Sequence, residues 1–387
     1  MTIGVDLRCL PSDGSPGAGV AHASRSLVNK LIAHGGDQVS WVLFLPRGAS
    51  PKAEENILRE KTSRTRIVRL KDASGAVLRR ALTVGPCDLL FVPSGAIPPG
   101  IRIPSVPWVH DIAIFDHPEW FNESLLRRRI TTTLFRRGVK KAPCVFAVSE
   151  ATKRDLVDHF EIDPKHVLVT FEGGDGVLGS LHGESLVEAK RIAKRRLAER
   201  GVTNRFILCM GTLEPRKNIP FLIDAWSKAR GQFRRPTDLV IAGRDGWKLG
   251  PIMQAFDVAK VYGPEGGSRL HRIEAPNDDD RRDLLLAADL VAIPSLYEGF
   301  GLVALEGMQA GSAVLVSNAG ALPEVVGPDF PTLQVGAVKA WTDALSELLN
   351  DERSIKRLAD AGKARSQGMD WERVAEVVFH ALTELSV

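Results

Sequence analysis

Cysteine is scarce in this chain and scattered. Cys9, Cys87, Cys144 and Cys209 are the only four among 387 residues, with no C-x-x-C pair and no metal-ligand spacing. Nothing here supports a disulfide framework or a zinc site. Each cysteine lies in or beside an apolar run and reads as a buried free thiol, which fits a reducing cytoplasm. No apolar run approaches the roughly 18–20 residues that span a bilayer. The opening residues Met1–Asp6 read as a first strand and lack the basic head and long apolar stretch of a signal peptide. An excess of one charge is also missing: 51 Lys and Arg stand against 47 Asp and Glu, a formal net charge of +4. The total gives no support for a nucleic-acid partner. Tandem repeats and low-complexity tails are absent. What is present is an ordinary globular composition, 44% apolar and 25% charged, in a chain long for one domain and comfortable for two.

Short apolar runs alternate with helical patterns, which predicts an α/β fold with parallel sheets covered on both faces. The strand-like runs of the first half are 3–7, 39–45, 66–70, 88–92, 106–110, 144–148 and 167–171. Those of the second half are 206–210, 238–242, 269–273, 290–294 and 313–317. Helices are expected at 20–33, 124–140, 184–200, 219–229, 281–288, 302–310, 339–349 and 371–385. Gly173, Gly174, Gly176 and Gly179 read as a flexible hinge. An N-terminal domain over 1–180 and a C-terminal domain over 181–369 follow.

The most informative segment is Pro294–Glu306. An apolar strand run ends in Tyr297-Glu298-Gly299-Phe300-Gly301 and passes into the helical stretch beginning Leu302-Val303. A strand, a tight glycine turn and a helix start leave backbone N–H groups pointing outward, the makings of an anion site. Two acids, Glu298 and Glu306, bracket the turn. Acids are poor partners for phosphate and good acceptors for sugar hydroxyls. A ligand that carries both, a nucleotide sugar, suits the pair. Arg216 and Lys217 follow the strand run 206–210, where open α/β sheets place ligands. Two cations there suit a diphosphate leaving group, although a solvated charge pair would look the same.

These stretches, together with Gly211–Asn218, His110-Asp111, Asp116–Phe121, Ser149–Leu156 and Gly320–Gly327, occur in the order found in the retaining glycosyltransferases of family 4. The chain resembles that family along nearly its whole length. The resemblance implies the GT-B fold: two Rossmann-like domains with parallel sheets facing across a cleft, and a C-terminal helix of about 370–387 crossing back onto the first domain. It implies that Glu298 touches the donor hexose and Glu306 the ribose. Arg216, Lys217 and the backbone of Gly301, Leu302 and Val303 would meet the donor phosphates, and Phe300 would also lie at the donor site. Gly17 and Gly19, in the glycine loop 13–20, would line the cleft near those phosphates. His110 would sit against the reacting sugar, positioning hydroxyls or steadying developing positive charge through its backbone carbonyl, with Asp111 orienting it. The expected catalytic set is His110, Glu298, Lys217 and Arg216.

No cofactor is implied, since the nucleotide sugar is the substrate, and no metal is expected. Asp278-Asp279-Asp280 contains a D-x-D, but it precedes a helical pattern and reads as capping. Gly307 stands where the family usually has alanine; it weakens a helix by about 1 kcal/mol, which close packing would explain. The stretch 125–141 carries Arg127, Arg128, Arg129, Arg136, Arg137, Lys140 and Lys141 with no acid. It is either a solvated surface helix or a place of peripheral contact with anionic membrane. The resemblance runs toward transferases of bacterial surface polysaccharides, many of them mannosyltransferases, and so favours GDP-mannose as donor and a glycan or lipid-linked sugar as acceptor. Two rivals stay open: a GT-B nucleotide-sugar epimerase, and a non-catalytic sugar-nucleotide-binding subunit.

Overall fold

Every strand-like run of the sequence contains a strand, with ends shifted by no more than two residues. The computed structural model describes residues 1–11, 19–46, 62–261 and 267–385. The chain divides into two units. The first comprises 1–118, 123–173 and 370–387, and the second 119–122 and 174–369.

In the first unit the strands are β1 (Thr2–Asp6), β2 (Ser40–Leu45), β3 (Thr65–Arg69), β4 (Leu89–Val92), β5 (Ser105–Val109), β6 (Val145–Ala147) and β7 (Val167–Val169). They form one parallel sheet in the order β3-β2-β1-β4-β5-β6-β7. Helix Val20–Gly35 and helix Trp371–Glu384 pack together in this unit. Phe379 of the latter lies edge-on to His34 at 5.1 Å and tilted against Trp41 at 6.5 Å.

The second unit contains β8 (Arg205–Met210), β9 (Thr237–Gly243), β10 (Leu270–Glu274), β11 (Leu290–Ile293), β12 (Ala313–Ser317) and β13 (Thr332–Leu333). Their order is β10-β9-β8-β11-β12-β13, again parallel. Successive residues of a strand point to opposite faces. Leu290 and Ala292 of β11 enter a core with Ile207, Leu239, Trp226 and Trp341. Val291 turns to the other face, where a Cβ on Gly307 would come within 3.1 Å of it and 3.3 Å of Val314. The unusual glycine lets helix Leu302–Gln309 lie close on β11 and β12.

The glycines read as a hinge also serve close approach. A Cβ on Gly173 would fall 2.3 Å from the backbone nitrogen of Trp371, and one on Gly174 would fall 2.1 Å from the Gln309 side chain. Helices Gly75–Val84 and Glu352–Arg365 were not among the expected ones. Each fully buries a single residue, Leu78 and Gly362 respectively, while Val77, Ala81 and Leu82 of the first and Ile355 and Leu358 of the second pack against the cores only partly buried.

Candidate functional site

The sheet of the second unit is built outward from β8 to β10, and the chain then returns to lay β11 on the other side of β8. The carboxyl ends of β8 and β11 therefore flank a topological switch point, where such sheets leave a crevice for ligands. The loops that follow these strands are 211–218 and 294–301. They are stitched together: Leu296 N–H donates to the Arg216 carbonyl at 2.8 Å, and the Asn218 side-chain amide donates to the Pro294 carbonyl at 3.2 Å.

Three of the residues expected at the site converge here. Lys217 Nζ donates to Glu298 Oε1 at 2.6 Å, and Arg216 Nη1 donates to Glu298 Oε2 at 3.0 Å. Ser295 Oγ adds a third bond to Glu298 Oε1 at 2.7 Å. Arg216 is also forked onto Glu214, with Nη2 at 2.8 Å and Nε at 3.1 Å from Oε1, and donates to the Tyr297 carbonyl at 3.0 Å. Glu298 is 7% exposed and Glu214 3%. Burial alone would raise the Glu298 carboxyl, but Lys217 and Arg216 outweigh it and bring the group down to about 2. Two cations and two anions thus form one connected network. Glu214 and Glu298 thereby fix the positions of Arg216 and Lys217 at the switch point.

The turn into helix Leu302–Gln309 is made by Gly301 at φ 107°, a conformation open to glycine and costly for other residues. Among the described residues no side chain caps this helix, and the N–H groups of Leu302 and Val303 lack partners within it. Phe300 is buried beneath the turn. Gly320, at φ 54°, holds the other side of the Glu298 loop. A Cβ there would come within 2.2 Å of the Glu298 carbonyl oxygen, and Ala321 N–H donates to that same oxygen at 2.9 Å.

Glu306 lies on the same helix but does not join the Glu298 network. It is 1% exposed and accepts from Arg281 Nη2 at 2.6 Å. Burial pushes its carboxyl up, and the Arg281 guanidinium opposes that. Asp278, Asp279 and Asp280 form the first turn of helix Asp278–Ala287, with Asn277 as its side-chain cap onto Asp280 N–H.

In the first unit, His110 follows β5. Its Nδ1 lies 2.8 Å from Glu172 Oε1 and its Nε2 lies 2.9 Å from the Pro93 carbonyl oxygen. Its own carbonyl accepts from Thr152 Oγ1 at 3.2 Å. Asp111 accepts from Ala113 N–H at 3.1 Å and so shapes the loop. Gly17 lies outside the described residues. Gly19, at φ 38°, precedes helix Val20–Gly35.

Sequence reading assigned no part to Ser295, Glu214, Arg281 or Glu172. The first two sit inside the recognised stretches, three and two residues from the groups they hold, and were within reach. Arg281 and Glu172 meet their partners only through the folded sheets and leave no local mark.

Residues 191–365 match the family described as Glycosyl transferases group 1. Among curated proteins, the chain is 28% identical over 261 residues to an MMP alpha-(1->4)-mannosyltransferase of Mycolicibacterium hassiacum, covering 66% of this chain and 58% of that one. It is 29% identical over 251 residues to the serotype-specific mannosyltransferase WbdA of Escherichia coli, covering 64% of this chain and 29% of that protein. The chain thus spans only part of the length of these relatives. Among solved structures, Anabaena Alr3699/HepE in complex with UDP and glucose superposes with a TM-score of 0.72 at 20% identity, over 99% of this chain and 100% of that one. That likeness bears out the two Rossmann-like, parallel-sheet domains of a GT-B protein.

Proposed function

We propose that this chain, whose residues 191–365 form a glycosyl transferases group 1 domain, moves a hexose from a nucleotide diphosphate sugar to a hydroxyl of a glycan or lipid-linked acceptor with retention of configuration. The observation that carries the reading is the Lys217–Glu298–Arg216 network at the switch point of the second sheet. Arg216, Lys217 and the first-turn amides of Leu302 and Val303 receive the diphosphate and stabilise it as it leaves. Those cations take the charge that a divalent ion would otherwise carry. Glu298 accepts from hexose hydroxyls. In the transfer the anomeric carbon–oxygen bond to the diphosphate breaks and a bond to the acceptor oxygen forms. The acceptor proton passes to the departing diphosphate oxygen. GDP-mannose is the favoured donor; the mannosyltransferase names of the two relatives support mannose as its sugar.

The test is a panel of nucleotide sugars scored by thermal stabilisation. A donor at one hundred times its Kd adds about 2.7 kcal/mol, a rise in Tm of a few degrees, and GDP-mannose is expected to give the largest. A panel in which no activated sugar raises Tm contradicts the reading.

We further infer peripheral binding to anionic membrane by helix Leu125–Lys141. Among the described residues no helix is long and apolar enough to cross a membrane. This helix buries Phe135 and Val139. At about 100° per residue that turns Leu126 and Ile130 outward, and they are 70% and 53% exposed. On the same outward line the next exposed cations are Arg137 and Lys141, with Arg127 to one side and Arg129 to the other. Exposed apolar residues among cations suit a bilayer interface with acidic headgroups. The chain is expected to sediment with phosphatidylglycerol vesicles at low salt, and Leu126→Ser/Ile130→Ser to bind about tenfold less. Equal sedimentation of both proteins would refute this.

A further inference from the structure

His110 and Glu172 are 62 residues apart in sequence and meet at the carboxyl ends of β5 and β7. Both ring nitrogens of His110 face oxygens, the Glu172 carboxyl at 2.8 Å and the Pro93 carbonyl at 2.9 Å. A carbonyl only accepts, as does an ionised carboxylate. A neutral imidazole has one N–H and would leave one nitrogen lone pair against an oxygen lone pair. The imidazolium satisfies both. Solvent does not relieve a mismatch, because the His110 side chain is 11% exposed and Glu172 5%. A polar group buried without its bond costs about 1–3 kcal/mol.

The other neighbours agree. Asp111 adds negative charge, and the Trp108 ring meets the imidazole edge-on at 4.5 Å. Thr152 is neutral and occupies the His110 carbonyl. Burial acts to lower the His110 pKa, while Glu172, the Pro93 carbonyl and Asp111 raise it to a net value above the usual 6.5. Placing the proton on the ring lets both nitrogens donate, to Glu172 and to the Pro93 carbonyl.

We propose that Glu172 is a positioning residue that locks His110 as a double hydrogen-bond donor at neutral pH, so that His110 orients its surroundings as a fixed charge and does not serve as the base for the acceptor hydroxyl. The kinetic part rests on the transferase reading above; the protonation part does not. Nitrogen NMR of the full chain, with the ring assigned by loss of its signals in His110→Gln, reads each ring nitrogen directly. In the wild type both are expected to remain protonated from pH 6 to above pH 7. Glu172→Gln removes the charge that offsets burial and should lower the midpoint by a unit or more. That variant should transfer sugar about tenfold more slowly at pH 7.5, regain rate toward pH 6, and keep its donor KM. Glu172→Asp should restore the wild-type profile. An unprotonated Nδ1 in the wild type at pH 7 overturns the proposal, even if Glu172→Gln fails to fold. A Glu172→Gln deficit that is the same at every pH also overturns it, since a structural role alone would give that. Absence of any transfer with an intact NMR result would count against the transferase reading instead.

Discussion

Lys217→Ala is expected to lower transfer from a nucleotide-sugar donor by about 10²- to 10³-fold, the usual effect of removing one group aimed at charge that develops in the transition state. Lys217 sits after β8 with its ammonium 2.6 Å from Glu298, partly exposed at the switch point. The departing diphosphate gains negative charge as its bond to the sugar breaks, and an ammonium held there is worth more as that charge grows. The variant should still fold, because Glu298 keeps its bonds to Arg216 and Ser295. Steady-state kinetics should therefore show the loss mainly in kcat, in a folded chain whose unfolding midpoint falls because Glu298 has lost its nearest cation. Near-normal turnover in a folded Lys217→Ala chain would remove this residue from the site.

The second large effect belongs to Glu298. Glu298→Ala removes the group that reads hexose hydroxyls and takes the shared anion from two half-buried cations, of which Arg216 keeps Glu214. Transfer should be abolished, and stability should fall by about 3–5 kcal/mol, as when one member of a buried ion pair is deleted. The pH dependence follows from the carboxyl being held down to about 2 from 4.5. A group whose folded pKa is depressed stabilises the fold above its unfolded pKa. That contribution is lost as pH falls from about 4.5 through about 2. Urea unfolding of the wild type should weaken steeply over that window, and Glu298→Gln, which cannot titrate, should lack this part of the loss. Parallel acid profiles in the two proteins would show that the network does not govern Glu298.

The strands and the central loop were legible because their signals are contiguous. A buried parallel strand is a short apolar run, and Pro294–Glu306 joins such a run to a glycine turn and a helix start within a few residues. Strand order was not legible, since β8 and β11 pair across more than 75 residues; without it, nothing in sequence places Arg216 beside Glu298. The same limit hid Arg281 at Glu306 and Glu172 at His110. It also hid the second demand on the glycines at 173 and 174, where another chain segment passes against each.

The most direct test is the crystal structure of the chain soaked with GDP-mannose. The diphosphate should lie within hydrogen-bonding distance of Arg216, Lys217 and the amides of Leu302 and Val303, with Glu298 on a hexose hydroxyl. A nucleotide sugar lodged away from both cations would contradict the central claim.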